Sequence, residues 1–194
     1  MKAKILEDAV AYAGFFRLRR ITVEHDRFDG GTTEPLVREV LHRSDAAAAL
    51  LYDPAADQVV LIEEYRAGAH LAGAFPWLLD IVAGRIEAGQ TPLEAVKREI
   101  AEEAGLAAKT IVPIGSYLTA PHLSSERLHL FCATVDAAAV AGSHGLAHEG
   151  EDIRPRVLGR AEALRLPETR PLSLWTALAL GWLDRAVSQG LTFR

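Results

Sequence analysis

Residues 15 to 24, FFRLRRITVE, and 36 to 42, LVREVLH, interleave branched apolar residues with charged ones, the alternation of strands that bury one face. The intervening HDRFDGGTTEP is rich in turn residues, so the two read as strands of a hairpin or meander. AAAALLYDPAADQVVLIEEYR then sets two apolar runs around DPAAD, a second hairpin whose Asp-Pro opens the turn and whose strands are buried. LLDIVA (78 to 83) is a further strand, leading into Gly84 and Gly89. TIVPIGSYL (110 to 118) and RLHLFCATV (127 to 135) flank the loop TAPHLSSE, and the polar loop AGSHGLAHEGED precedes a strand near IRPRVL.

The period changes twice. In QTPLEAVKREIAEEAGL (90 to 106), Thr91 caps a helix, Pro92 suits its first position, Glu94 completes a Thr-x-x-Glu capping box and Gly105 ends it. Leu93, Val96, Ile100 and Ala104 fall on one stripe, which predicts a buried face. In LSLWTALALGWLDRAVSQG, Leu172, Trp175, Leu178, Leu180, Trp182 and Leu183 recur at largely helical spacing, with Gly190 as the stop. Strands in this order with few helices predict an α+β protein whose helices flank a mixed sheet.

The 194 residues, 49% hydrophobic and 24% charged, are enough for one domain with a buried core and a small appendage. No apolar run approaches the ~18 residues that span a bilayer. The N-terminus lacks the succession of a secretory signal, so the expectation is a cytoplasmic protein with no membrane association. Cys132 is the single cysteine and sits in an apolar run, which excludes an internal disulfide and predicts a buried thiol. A net charge of -5 without a basic block excludes a nonspecific nucleic-acid binder, though a single nucleotide held by a few arginines remains open.

The acidic positions of the first helix add chemistry. At ~100° per residue, Glu99, Glu102 and Glu103 share a sector of about 100° beside the apolar stripe. Like charges at i and i+4, as at Glu99 and Glu103, cost a few tenths of a kcal/mol in water and more when desolvated. Compensation by a hard divalent cation such as Mg²⁺ suits carboxylate oxygens, and no His or Cys stands at the spacing of a zinc site. Periodicity alone favours a solvated acidic face flanked by Lys97 and Arg98, since surface helices are often rich in Glu.

The surrounding residues resolve that choice. GRIEAGQTPLEAVKREIAEEAGL, Gly84 to Leu106, closely resembles the Nudix box, G-x5-E-x7-R-E-U-x-E-E-x-G-U with U aliphatic. Gly84, Arg98, Glu99, Ile100, Glu102, Glu103, Gly105 and Leu106 are in register, while Gln90 stands where the pattern has its first Glu. The resemblance implies that Glu99 and Glu103 bind Mg²⁺, with Mn²⁺ as the alternative. It makes Glu102 a shared or outer ligand and the Ala83 carbonyl a further one, and Gln90 a supporting substitution that preserves the loop.

Over most of its length the chain resembles the ADP-ribose pyrophosphatase branch, through GFFRL, LVREVL, VVLIEEYRAGA, PWLLDIVAG and HGLAHEGEDIRP, and through Pro121, sixteen residues after Gly105. The resemblance implies an α/β/α sandwich over 45–194 preceded by a small β domain over 1–44, exchanged across a homodimer. It implies Mg²⁺-dependent hydrolysis of ADP-ribose to AMP and ribose 5-phosphate.

Within that reading Phe15 matches the adenine-stacking aromatic, and Arg38 and Arg66 supply forked donors to phosphates. Pro121 and Glu126 belong to the substrate loop, where His122 replaces a frequent Gly. Of the loop carboxylates, Glu149 is the expected base and Glu151 the expected metal ligand; a mobile loop can deliver a base on closure. Glu103 serves catalysis as well as metal binding. His144 and His148 read as loop histidines without a chemical role. GDP-mannose or another nucleoside diphosphate sugar is the rival substrate, and a noncatalytic nucleotide-sugar sensor is the rival from another class.

Overall fold

The computed structural model describes residues 1–193. Strands β1 (Ala3–Ala13), β2 (Arg17–His25) and β3 (Leu36–His42) form an antiparallel sheet in the order β1-β2-β3. The β2/β3 hairpin is the one predicted, with Ile21 opposite Arg38. The sequence pattern does not mark strand β1, all of whose residues are exposed. Its pairing with β2 slips between Ile5 and Glu7 and again between Val10 and Tyr12, so no single two-residue parity runs its length.

The second sheet holds seven strands: β4 (Ala46–Asp53), β5 (Gln58–Tyr65), β6 (Trp77–Asp80), β7 (Val82–Arg85), β8 (Thr110–Leu118), β9 (Arg127–Thr134) and β10 (Arg154–Gly159). The order is β10-β5-β4-β9-β8, with β6 pairing β5 and β7 pairing β4. It is mixed: β4 and β5 are antiparallel, whereas the backbone amide of Val135, just past β9, donates to Tyr52 O at the far end of β4. LLDIVA, expected as one strand, is therefore two. The chain changes partner at Ile81, whose amide turns to Asp80 Oδ1 at 3.0 Å and Thr176 Oγ1 at 3.1 Å.

Among the described residues there are five helices: α1 (Ala67–Leu71) and α2 (Pro92–Ala104) lie between strands, and α3 (Arg160–Ala163), α4 (Leu166–Thr169) and α5 (Leu174–Ser188) follow β10. Only α2 and α5 are long enough to carry an apolar period, which is why α1, α3 and α4 left no sequence signal. Every residue of β4 is buried, and its two parities serve two layers. Ala47, Ala49 and Leu51, with Val60 and Ile62 of β5, pack on Val96, Ile100 and Ala104 of α2. The other face of β4 meets α5, which buries Ala179, Leu180, Leu183 and Ala186. The fold class is α+β, an α/β/α sandwich with a mixed sheet and a small N-terminal antiparallel sheet.

The chain divides into two compact units, residues 1–45 with 117–128 and residues 46–116 with 129–194. Among the described residues no helix is long and apolar enough to cross a membrane.

Candidate active site

Helix α2 begins where local chemistry directs it. Thr91 Oγ1 accepts the Glu94 amide at 3.2 Å, Glu94 Oε2 accepts the Thr91 amide at 2.8 Å, and Pro92 follows the cap. At the other end Gly105 takes φ 65°. A Cβ there would also lie 2.2 Å from the His144 ring, so the left-handed stop and the docking of a distant loop both require glycine. One position of the predicted stripe is corrected. Leu93 is 42% exposed, because it sits in the first turn before the helix reaches the sheet.

The stripe instead widens to take in two carboxylates, Glu99 and Glu103, which are only 7% and 2% exposed. Strand β7 lies against them. Ala83 N donates to Glu103 Oε2 at 2.9 Å, and a Cβ on Gly84 would fall 1.7 Å from Glu99 Oε1, so the Glu99 carboxylate occupies the space that Gly84 leaves. Arg98 grips the outer side: one terminal nitrogen is 2.7 Å from Glu99 Oε1 and the other 2.6 Å from Glu102 Oε2. Arg98 also donates to the Arg85 carbonyl at 3.1 Å. Its Nε is buried without a hydrogen-bond partner.

Burial raises both inner carboxyls. Glu99 is pushed up to about 7 by desolvation, opposed by Arg98 and reinforced by Glu102 and Glu151. Glu103 is held well above the usual carboxylate range, again by burial first, with the Ala83 amide and Arg66 working against it and Glu99 and Glu64 with it.

The loop expected to carry the base folds back on this helix. His144 and Ile153 exchange backbone hydrogen bonds at 2.8 and 3.0 Å, and Gly145 N donates to Glu102 O at 3.1 Å. Within the loop, Glu151 Oε2 accepts the Leu146 amide at 3.0 Å, and the charge of Glu151 bears on Glu99 and Glu64. Glu149 ends a 3₁₀ turn, Ala147–Glu149, and is exposed. His144 packs its ring over Gly105 and contacts the Ala141 carbonyl at 2.7 Å through Nε2, a structural duty; His148 is exposed.

Ala83, Glu99, Glu102, Glu103, Glu151 and Arg66 thus share one unit and one electrostatic neighbourhood. Sequence reasoning missed Glu64. Strand alternation carried the signal, since Val60, Ile62 and Glu64 share the parity that faces α2. Glu64 is mostly buried and raised by desolvation first, with Arg66 opposing and Glu151 and Asp80 adding to the rise.

Among the described residues no three carboxylates already converge as a cation cage: Arg98 holds Glu99 and Glu102, the Ala83 amide holds Glu103 and the Leu146 amide holds Glu151. The donor set nonetheless fits a hard cation: five carboxylates, Glu64, Glu99, Glu102, Glu103 and Glu151, face two guanidiniums, Arg66 and Arg98. Buried charges in that excess call for a further positive partner. Gln90 braces the preceding loop, with Oε1 accepting Glu87 N at 3.2 Å.

The expected substrate-binding residues Phe15, Arg38, Pro121 and Glu126 belong to the other unit. Phe15 is 78% exposed and stands edge to face with Phe16 at 4.8 Å. Arg38 is exposed on β3 and donates to the Val37 carbonyl at 2.8 Å. Pro121 and His122 are exposed in the turn before Ser124. Glu126 is 4% exposed and its carboxylate lies 2.9 Å from Arg43, whose guanidinium sits over the Phe16 ring at 5.3 Å. Cys132 is buried, and burial pushes its thiol up to about 12, leaving no reactive thiolate.

The NUDIX domain model matches residues 42–175. An ADP-ribose pyrophosphatase of Escherichia coli strain K12 is 39% identical over 182 residues, 93% of this chain and 87% of its own. A GDP-mannose pyrophosphatase of Cronobacter sakazakii is 30% identical over 165 residues, 84% of this chain and 85% of its own. A crystal structure of an ADP compounds hydrolase superposes with a TM-score of 0.74 at 21% identity, covering 99% of this chain and 98% of the other, a likeness of fold.

Proposed function

This chain belongs to the NUDIX domain family, and from that premise we propose that it hydrolyses the pyrophosphate bond of ADP-ribose, giving AMP and ribose 5-phosphate. The observation that carries the chemistry is the pair of buried carboxylates, Glu99 and Glu103, one helical turn apart in a cluster with surplus negative charge. Glu99, Glu103, Glu151 and the Ala83 carbonyl would hold Mg²⁺ or Mn²⁺, with Glu102 beside them. Such a cation supplies charge neutralisation on the diphosphate and acidifies the attacking water.

The chain's own part is binding, aiming and proton transfer. Arg66 and Arg38 supply forked donors to the phosphates of the substrate, Phe15 the aromatic face for adenine, and Pro121 and Glu126 belong to the substrate loop. Glu149, exposed on its short turn, accepts the proton of the water as its oxygen bonds to phosphorus; the anhydride P–O bond breaks and the leaving phosphate keeps the bridging oxygen. Glu151, tied to Leu146 N, is better suited to a fixed ligand than to a mobile base.

The second reading, a GDP-mannose hydrolase, is supported by the Cronobacter relative, whose identity is the lower. Incubation with ADP-ribose, GDP-mannose and other nucleoside diphosphate sugars at saturating Mg²⁺, with product identification, separates them. AMP and ribose 5-phosphate as the dominant products are expected. Turnover of GDP-mannose alone would overturn the substrate, and no turnover of any member would favour a nucleotide-sugar sensor. The reading extends to a homodimer that exchanges the N-terminal β domain over 1–44, supported by the large apolar side chains exposed there, Ile5, Val10, Tyr12 and Phe15. Light scattering after gel filtration should return twice the chain mass.

Three further results are expected. Gly84→Ala should displace the Glu99 carboxylate, because the added Cβ meets the end of a flexible side chain rather than backbone. Turnover should fall about tenfold or more, with a thermal cost of no more than the ~1–3 kcal/mol of overpacking, read by melting and initial rates.

The second concerns pH. Glu99 is raised from 4.5 in the ordinary state to about 7 when folded, so its contribution to stability is complete below about 4.5 and is lost as pH rises through about 7. Metal-free protein in chelator should therefore melt lower at pH 8 than at pH 6, with Glu99→Gln flattening the difference. Added Mg²⁺ should raise Tm more at pH 8, where protons no longer compete.

The third is Gln90→Glu, which should leave the products unchanged and at most sharpen Mg²⁺ dependence, measured by titrating the metal. A new cleavage product would contradict the supporting role of Gln90.

A further inference from the structure

Arg66 follows β5, and its amide donates to the Pro76 carbonyl at 2.8 Å, which fixes its backbone. Its guanidinium is gripped from two sides. One terminal nitrogen is 2.7 Å from Glu64 Oε2 and the other 3.5 Å from Asp80 Oδ2, with the Arg66 side chain 32% exposed and those carboxylates 13% and 8%. The arginine side chain thus remains partly open to solvent while both carboxylates that hold it are buried more deeply.

Asp80 cannot swing. Its Oδ1 accepts three donors: Ser173 Oγ at 2.6 Å, Thr176 Oγ1 at 2.5 Å and the Ile81 amide at 3.0 Å. Ser173 is the N-cap of α5, where its hydroxyl also accepts the Thr176 amide at 3.2 Å, and Thr176 is fully buried. The two carboxylate oxygens therefore divide the work, Oδ1 facing the first turn of α5 and Oδ2 facing Arg66. This chain of contacts runs from the C-terminal helix through the β6/β7 crossover to the arginine whose charge bears on Glu103.

We propose that Asp80, locked by the first turn of α5, is a positioning residue that aims the Arg66 guanidinium at the diphosphate of the substrate, with Glu64 as the second arm of the grip. It rests on the reading of Arg66 as a substrate donor. Long side chains such as Arg lose rotamer freedom on binding, so an arginine already aimed binds an anion at lower entropic cost. Helix α5 thereby contributes to substrate affinity without touching substrate.

The test is a double-mutant cycle on KM and kcat for ADP-ribose at saturating Mg²⁺. Asp80→Asn keeps an oxygen for Ser173, Thr176 and Ile81 while turning an amide towards Arg66, so the anchor on α5 survives and the aim does not. KM should rise roughly tenfold with kcat changed less than about threefold, the signature of lost binding. Arg66→Ala should raise KM at least as much, and adding Asp80→Asn to it should change nothing further. Thr176→Val, which removes one donor to Oδ1, should raise KM about threefold in the same pattern, and it carries the test where Asp80→Asn does not fold. Additive effects of Asp80→Asn and Arg66→Ala, or a folded Asp80→Asn enzyme with unchanged KM beside a raised KM for Arg66→Ala, would overturn the positioning role while leaving Arg66 a substrate donor. An unchanged KM for Arg66→Ala would instead remove the reading on which the proposal rests.

Discussion

Glu103→Gln should lower kcat on ADP-ribose by about three orders of magnitude while raising, rather than lowering, the thermal stability of the metal-free protein at pH 8. The two effects have one cause. Glu103 is almost fully buried beside Glu99 and Glu64, and its carboxyl is held well above the ordinary range by desolvation, so its ionised form is costly in the absence of a cation. Glutamine is nearly isosteric and keeps an oxygen for the Ala83 amide, so the β7/α2 contact is retained and the charge is removed. A melting curve in chelator should shift upward, and the rise in Tm on adding Mg²⁺ should shrink. A residue whose neutralisation stabilises the fold while abolishing turnover is held there for function. Near-normal turnover at saturating Mg²⁺ would remove Glu103 from the mechanism.

Glu149→Gln should cost about 10²–10⁴-fold in kcat with little change in KM or in the Mg²⁺ dependence, the scale of a lost general base. Glu151→Gln should behave differently. Its carboxylate is held by the Leu146 amide and bears on Glu99, so its loss should raise the Mg²⁺ concentration needed for half-maximal rate before it lowers the maximum. Initial rates over a grid of substrate and metal concentrations separate the two patterns. If Glu151→Gln gives the metal-independent loss and Glu149→Gln the metal-dependent one, the roles are exchanged.

The parts of this site legible in sequence are those set by short-range chemistry. The capping box at Thr91, the left-handed Gly105 and the crowding of Glu99, Glu102 and Glu103 all lie within one helix and its ends, where spacing decides position. The depth of burial was less evident. A helical wheel puts Glu99 and Glu103 beside the apolar stripe, but strand β7 closing over them, with Gly84 leaving room for a carboxylate, depends on a partner that the wheel does not contain.

Glu64 was readable from alternation in QVVLIEEY and passed over, because a charged residue near a strand end usually faces water. The Asp80 network was beyond reach: Ser173 and Thr176 are 93 and 96 residues away from it, and nothing local in either segment announces the other. Arg43 beside Glu126 is the same case, joining sequence-distant residues of the first unit. Strand β1 failed for another reason, since two register slips break the parity by which a strand is recognised.

The most direct measurement is hydrolysis of ADP-ribose by the metal-stripped protein as free Mg²⁺ is restored, with products resolved by ion-exchange chromatography. The account predicts no turnover in chelator, and equimolar AMP and ribose 5-phosphate appearing as Mg²⁺ rises, at pH 8 more readily than at pH 6. Turnover that persists at full rate in chelator, or no AMP at saturating Mg²⁺, would contradict it.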